Sequence, residues 1–217
     1  MRALYCNILK RINGMKIKHI LCALLISYYP ICSSAIPTAA LETDRLFLRQ
    51  VQITDAHEIA KIALNQEVRK KTGLFPQLTS LDDVVNFVQI YLVGNENLSK
   101  APRYPNTWVM VEKISGNILG LVLFVAYLER HQRAEIAYAV VPDYWNNGYA
   151  TEACQAVIRF AFSQGVFRIY ATVDPENGAS ERVLQKAHMS FEGLLHAYMI
   201  VNGLHVDRKM YAIIANT

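Results

Sequence analysis

The feature that most constrains this chain is the junction Glu135-Ile-Ala-Tyr-Ala-Val-Val-Pro-Asp-Tyr-Trp-Asn-Asn-Gly-Tyr-Ala-Thr-Glu-Ala153. Residues 135–141 alternate as a strand does, Pro142 and Gly148 break the pattern, and an amphipathic helical run follows at once. A strand that passes through a short loop straight into a helix turns the loop's N–H groups, and the first N–H groups of the helix, toward one point. The helix end adds partial positive charge, and Gly148 and Ala150 leave room for a ligand to come close. The N–H groups of Asn146, Asn147, Gly148, Tyr149, Ala150 and Thr151 therefore form a cradle that suits a pyrophosphate. A loop with one glycine is also an ordinary turn, so the spacing alone leaves both readings open.

At 217 residues with a 53% hydrophobic fraction, the chain can build one domain with a sizeable core, and two domains would be cramped. A formal charge of +4 favours a polyanionic ligand but falls short of a nucleic-acid-binding signature. Part of that surplus belongs to Arg2, Lys10, Arg11, Lys16 and Lys18, so the remainder is nearly balanced. Cys6, Cys22 and Cys32 all lie near the start, which leaves the body only Cys154, and a disulfide framework is excluded there. Ala153, Ala156 and Val157 around Cys154 read as a packed helix face rather than the setting of a nucleophile. The histidines have no ligand spacing, and no metal is expected.

The first 40 residues read as a hydrophobic leader. Lys16-Ile-Lys-His precedes the apolar run Ile20 to Tyr29, then Pro30 and the small residues Ser33-Ser-Ala35, a secretory-signal pattern too short for a span of about 20 apolar residues. An uncleaved hydrophobic tail is the other reading, and membrane contact follows only if the leader is retained.

Residues 41–217 form the domain. Leu46 and Leu48 alternate in Leu41-Glu-Thr-Asp-Arg-Leu-Phe-Leu-Arg49 and predict a strand; Thr54 caps a helix carrying Ile59, Ile62 and Ala63; Ser80 starts another carrying Val84, Phe87, Val88 and Tyr91. Arg69 to Thr79 reads as a connecting loop. The β-rich runs Thr107–Lys113 and Ile118–Tyr127 flank a hairpin at Ser115-Gly-Asn117, and the junction strand follows them. A helix is expected from Ala150 to Ser163, a strand over Phe167–Val173 and a helix from Ala179 to Ala187. Asn202-Gly203 turns a closing hairpin. Helices between the middle strands and hairpins at both ends predict an α+β fold on a mixed sheet.

The junction and a second segment, Asp174-Pro-Glu-Asn-Gly-Ala-Ser180, resemble the acetyl-coenzyme A loop and the following V-x-x-x-N-x-x-S segment of the GNAT acetyltransferase superfamily. The Tyr144-Trp145 pair before the loop is similar to the RimJ/RimL-like group of ribosomal-protein N-terminal acetyltransferases. Asn146-Asn147 replaces the more usual Gly and basic residue, and Lys186-Ala-His188-Met189 stands where the family reads Lys-x-Gly-Phe. The resemblance covers residues 41 to 215 and implies the GNAT fold, a mixed, mostly antiparallel sheet with a splayed central strand pair and flanking helices. It implies acetyl-coenzyme A as cosubstrate, held without metal, and an amine acceptor, either a peptide N-terminus or a small amine. Because acetyl-coenzyme A is made and held in the cytosol, it also implies a cytoplasmic location, the alternative being export through residues 15–35.

The resemblance further implies that the arm of the coenzyme adds to the freed edge of the junction strand, where Ala139, Val140 and Val141 carry unpaired N–H groups and Val140 binds the thioester oxygen. Glu135 becomes the base for the amine, although a solvated glutamate or one paired to Arg133 reads equally well. The tyrosine that many family members use as general acid is Leu184 here, and Ser180 or water replaces it. Asn177 caps the short helix, with or without a contact to the arm. Arg182 and Lys186 reach a coenzyme phosphate, or form a solvated face. Tyr198, Asp207 and Tyr211 fall where the family lines its acceptor pocket, or are ordinary sheet residues. The missing tyrosine and the altered His188-Met189 segment leave a second class open, a catalytically idle module that binds acetyl-coenzyme A as a sensor. A third, an exported interaction protein, rests on the leader alone.

Overall fold

The computed structural model describes residues 36, 38–72, 74–75, 78–93, 104, 106–201 and 203–215. The signal-like pattern and Asn202 of the expected turn lie outside them. Strands β1 (Leu41–Glu42), β2 (Leu46–Gln50), β3 (Thr107–Glu112), β4 (Ile118–Leu128), β5 (Arg133–Val140), β6 (Arg168–Val173), β7 (Ser190–Val201) and β8 (Leu204–Ile214) form one sheet in the order β1-β2-β3-β4-β5-β6-β8-β7. Helices α1 (Ala56–Ala63), α2 (Gln66–Lys71) and α3 (Leu81–Phe87) precede β3, α4 (Tyr149–Ser163) joins β5 to β6, and α5 (Gly178–Lys186) joins β6 to β7. Every pairing is antiparallel except β5 with β6, whose crossover is α4, the kind of connection a parallel pair requires. The expected mixed, mostly antiparallel sheet is what forms.

Two apolar clusters sandwich the sheet, as strand alternation demands. Ala134, Ile136 and Val140 of β5 join Trp108, Met110, Cys154, Val157, Ile158 and Leu184 in one, under α4 and α5. Ala139 joins Ile59, Ile62, Val68, Val84, Val88 and Leu121 in the other, under α1 to α3. Cys154 is fully buried, and that burial pushes its thiol far above the ordinary value, so it is a core residue and not a nucleophile. Among the described residues no helix is long and apolar enough to cross a membrane.

Several local expectations change. Thr54 does not cap α1: the cap position is Asp55, whose carboxylate is bound by Arg49 (2.8 Å to each oxygen) and by the Gln52 N–H (2.8 Å). The connector is partly helical, because the Asn65 side chain caps α2 by accepting from Glu67 (2.9 Å) and Val68 (3.2 Å), and Val68 is buried. Ser80 starts α3, as expected, and caps it in a capping box with Asp83; a π-helical turn over Val88–Val93 follows. The closing hairpin pairs β7 with β8. It accommodates a bulge in which the residues between Leu195 and Met199 lie opposite Asp207. Before β1, the Trp108 indole donates to Ala39 O (2.8 Å) and the buried Asn106 side chain donates to Ile36 O and to Thr38 Oγ1, which ties this stretch to β3.

Candidate active site

The site forms where the sheet splits. β5 and β6 pair only at Arg133↔Arg168, Ala134↔Ile169 and Glu135↔Tyr170, yet β5 runs on to Val140 and β6 to Val173. Beyond Glu135 the two strands therefore diverge and leave one edge of β5 open. Val141 donates its N–H to Leu119 O on the β4 side (2.8 Å). Alternation then turns the N–H and C=O of Tyr138 and Val140 toward the open edge, and those of Ala139 toward β4. Two expectations need correcting for this reason. The Val141 amide is already bonded, and Ala139 is paired with Leu121 and buried, so of the three expected amides only that of Val140 faces the fork. Tyr138, not singled out from the sequence, offers the second. The tyrosine's hydroxyl crosses the fork on the α5 side to donate to Ser180 O (3.2 Å).

At the open end of β5 lies the loop. Asn146 (φ 62°) and Gly148 (φ 82°) are both left-handed, and Gly148 is the residue before α4. No side chain caps that helix, and none of the N–H groups from Asn146 to Thr151 has a hydrogen-bond partner among the described residues. Six consecutive donors at a helix N-terminus form an anion cradle that no described residue satisfies.

Arg45, at the entrance to β2, holds one carboxylate, that of Glu152, away from the cradle. Glu152 lies in the first turn of α4, where a carboxylate could fold back onto the free amides. Instead it accepts from Thr43 Oγ1 (2.6 Å) and from Arg45 N (2.9 Å), Nε (2.7 Å) and Nη2 (2.7 Å). Burial raises the Glu152 carboxyl, but these donors outweigh it and hold it below the ordinary carboxylate value. Arg45 also donates to Asn147 O (2.9 Å) and lies 4.4 Å from the Tyr149 ring centroid, while the Tyr149 hydroxyl bonds Glu112. The sequence carries no signal for this, since Arg45 and Glu152 are 107 positions apart. An Arg45→Ala exchange is expected to weaken binding of a diphosphate ligand about tenfold, through loss of charge-assisted anchors, with little change in far-UV circular dichroism. Isothermal titration checks this.

Glu135 closes the fork. Its Oε1 accepts from Thr172 Oγ1 (3.1 Å) and its carboxylate bonds Tyr170, both on β6, and it has no ion pair with Arg133. Burial raises its pKa above the ordinary value, and the Thr172 and Tyr170 hydrogen bonds only partly oppose that. A carboxyl held in this way titrates closer to neutrality, as an acid–base group should.

Asn177 caps α5 through Ser180 N (3.2 Å) and also donates to Lys71 O at the end of α2 (3.1 Å). The Ser180 hydroxyl has no partner among the described residues. Leu184, where the family tyrosine would stand, is fully buried. Arg182 and Lys186 are exposed on α5 and have no ion pair among the described residues. On the closing hairpin, Tyr198 is half exposed on the bulge, and Asp207 is spent on holding that bulge, with Oδ1 accepting from Ala197 N (2.8 Å) and Oδ2 paired to His196 (2.9 Å). Tyr211 packs into the core. It is 3% exposed and donates to Glu181 Oε2 (2.9 Å) on the α5 face, because its strand position points away from the face that carries Glu135.

Comparison with known proteins identifies relatives of this chain. The family described as acetyltransferase (GNAT) domain matches residues 45–190. The chain is 34% identical over 175 residues to the uncharacterized N-acetyltransferase YoaA of Bacillus subtilis, across 80% of this chain and 96% of that one. A GNAT-family acetyltransferase from Bacillus anthracis superposes with a TM-score of 0.70 at 26% identity, covering 81% of this chain and 98% of its own. Mycobacterium smegmatis RimJ, in complex with CoA-disulfide, shares the fold with a TM-score of 0.67 at 22% identity, across 83% and 89% of the two chains.

Proposed function

The chain belongs to the GNAT acetyltransferase family, and on that premise we propose that it moves the acetyl group of acetyl-coenzyme A to a primary amine by direct attack in a ternary complex. The observation that carries this reading is the run of N–H groups from Asn146 to Thr151 that have no partner among the described residues, next to the open edge of β5. The cradle takes the diphosphate, and the arm adds to β5 at Val140 and Tyr138 in the manner of an extra strand. Arg182 and Lys186 remain available to the coenzyme's other phosphate.

Glu135 accepts the amine proton. Tyr138 is three residues from it along the strand and Val140 is five, about 10 and 16 Å at roughly 3.3 Å per residue. The shorter separation makes the Tyr138 amide the better donor to the thioester oxygen as charge develops on it, with Val140 holding an amide carbonyl further up the arm. Ser180, across the fork, has an unengaged hydroxyl for the departing thiolate, and water is the other donor. A peptide α-amine has a reference pKa of about 7.7 to 8.0 against about 10.4 for lysine, so such an acceptor asks less of the base. Tyr198, exposed on the hairpin bulge, is the residue best placed to meet it. We place the reaction in the cytoplasm, where the cosubstrate is made.

The test is thiol release from acetyl-coenzyme A against a panel of peptide N-termini, polyamines and small amines. Turnover on one class supports the proposal. Tight coenzyme binding with no turnover on any of them would instead support the idle sensor.

A further inference from the structure

We propose that Trp145 is a positioning residue that fixes where the coenzyme arm stops along β5, with Lys71 clamping it across the mouth of the fork. The inference rests on the acetyl-transfer reading of this site. An added strand uses both the N–H and the C=O of each residue that faces it. Tyr138 offers both groups to the open edge. Val140 offers a free N–H, but its carbonyl already accepts the Trp145 indole N–H at 2.7 Å, which leaves it one lone pair.

An arm carrying amide groups can therefore present an acceptor at Val140 but meets there a carbonyl already engaged, a poorer acceptor for a donor of its own. That asymmetry selects one register. With Val140 O free, the arm could shift by one strand repeat of two residues, about 7 Å, and carry the thioester away from Glu135.

The ring that enforces this is itself held from the far side. Trp145 packs against both apolar clusters, and the Lys71 ammonium lies 4.6 Å from its ring centroid. The Lys71 carbonyl accepts from Asn177 Nδ2 at 3.1 Å, and Asn177 caps α5. Lys71 thus links the end of β5 to the beginning of α5, the two sides of the split. The family-like loop motif marks Trp145 by type, but its partners Val140 and Lys71 emerge only in three dimensions.

The experiment compares wild type with Trp145→Phe, which keeps an aromatic ring and deletes the indole donor, and with Lys71→Met, which keeps the indole bond and removes the cation. For Trp145→Phe, kcat should fall about thirtyfold through misplacement of the thioester, while the Kd for acetyl-coenzyme A changes less than about threefold. Lys71→Met should move kcat in the same direction by a smaller factor. A loss shared equally by kcat and Kd, with a lowered Tm, is the mark of a merely structural role and overturns the proposal, as does unchanged kcat. A second readout needs no turnover. The indole N–H resonance of Trp145 should stay protected from solvent exchange when acetyl-coenzyme A binds, and its release on binding would overturn the register argument. If wild type itself turns over no amine, the acetyl-transfer reading fails; if wild type turns over and Trp145→Phe does so equally well, only the role of Trp145 fails.

Discussion

A Gly148→Val chain is expected to bind acetyl-coenzyme A at least a hundredfold more weakly than wild type. Gly148 has φ 82° and ψ 2°, a left-handed conformation that a β-branched residue adopts only at a cost of about 1–3 kcal/mol. Crowding is not the cause. A Cβ added there meets only Arg45 Nη2 at 3.5 Å, an ordinary contact. The backbone relieves the strain by rotating, and rotation at this residue swings the amides of Asn146 and Asn147 away from those at the start of α4. The donors then no longer converge on one anion. Because the loop is exposed and supports little core, Tm should change by only a few degrees while isothermal titration reports the loss of affinity. Gly148→Ala, without the branch, should lose less. Unchanged affinity in the valine variant would remove the loop from the binding site.

Glu135→Gln is expected to lower kcat about a hundredfold with a lysine-like acceptor, within the usual range for a general base, while coenzyme affinity holds. The pH dependence gives the sharper signature. Burial raises the Glu135 pKa, so the wild-type rate should decline as pH falls through that raised value, and the glutamine variant should lack this limb. The ratio of the two rates is largest above the Glu135 value and below that of the acceptor amine, and it narrows once the amine deprotonates unaided. Stability should move the other way. A carboxyl whose folded pKa is raised favours folding at pH below its unfolded value of about 4.3, and that contribution is lost as pH rises through the folded value. Above its folded pKa the wild type carries a buried carboxylate that glutamine does not, so the variant should melt at a higher temperature there, and the difference should vanish in acid. A rate ratio independent of pH would retire Glu135 as the base.

The parts of this fold that are readable in the sequence are those whose cause is local. The strand, loop and helix of the junction are such a case: the sequence predicts a helix from Ala150 to Ser163, and α4 forms over Tyr149–Ser163. The same holds for the Asn177 cap, since a cap and its helix are neighbours in the chain. Short elements held by burial are harder. The six residues of α2 complete too few turns to display a periodicity, and they are helical because Asn65 caps them and Val68 is buried. Long-range pairings leave no trace at all, which is why Arg45, the residue that draws Glu152 away from the cradle, goes unnoticed in Thr43-Asp44-Arg45. Strand facing is the third difficulty. Whether Ala139, Val140 or Val141 presents its amide to the fork depends on which partner β4 takes, and Tyr211 joins the core because of its register with β6. A one-residue change in pairing reverses each of these assignments.

The central claim is that main-chain donors hold the coenzyme, the diphosphate at the loop and the arm along β5. Amide chemical shifts followed during titration of the full chain with acetyl-coenzyme A test it directly. The account predicts large shifts for the backbone amides of Asn146 to Thr151 together with Tyr138 and Val140, and little movement at Ala139 and Val141, whose groups are turned to β4. Saturable binding that leaves these amides where they are and perturbs another part of the sheet would contradict it.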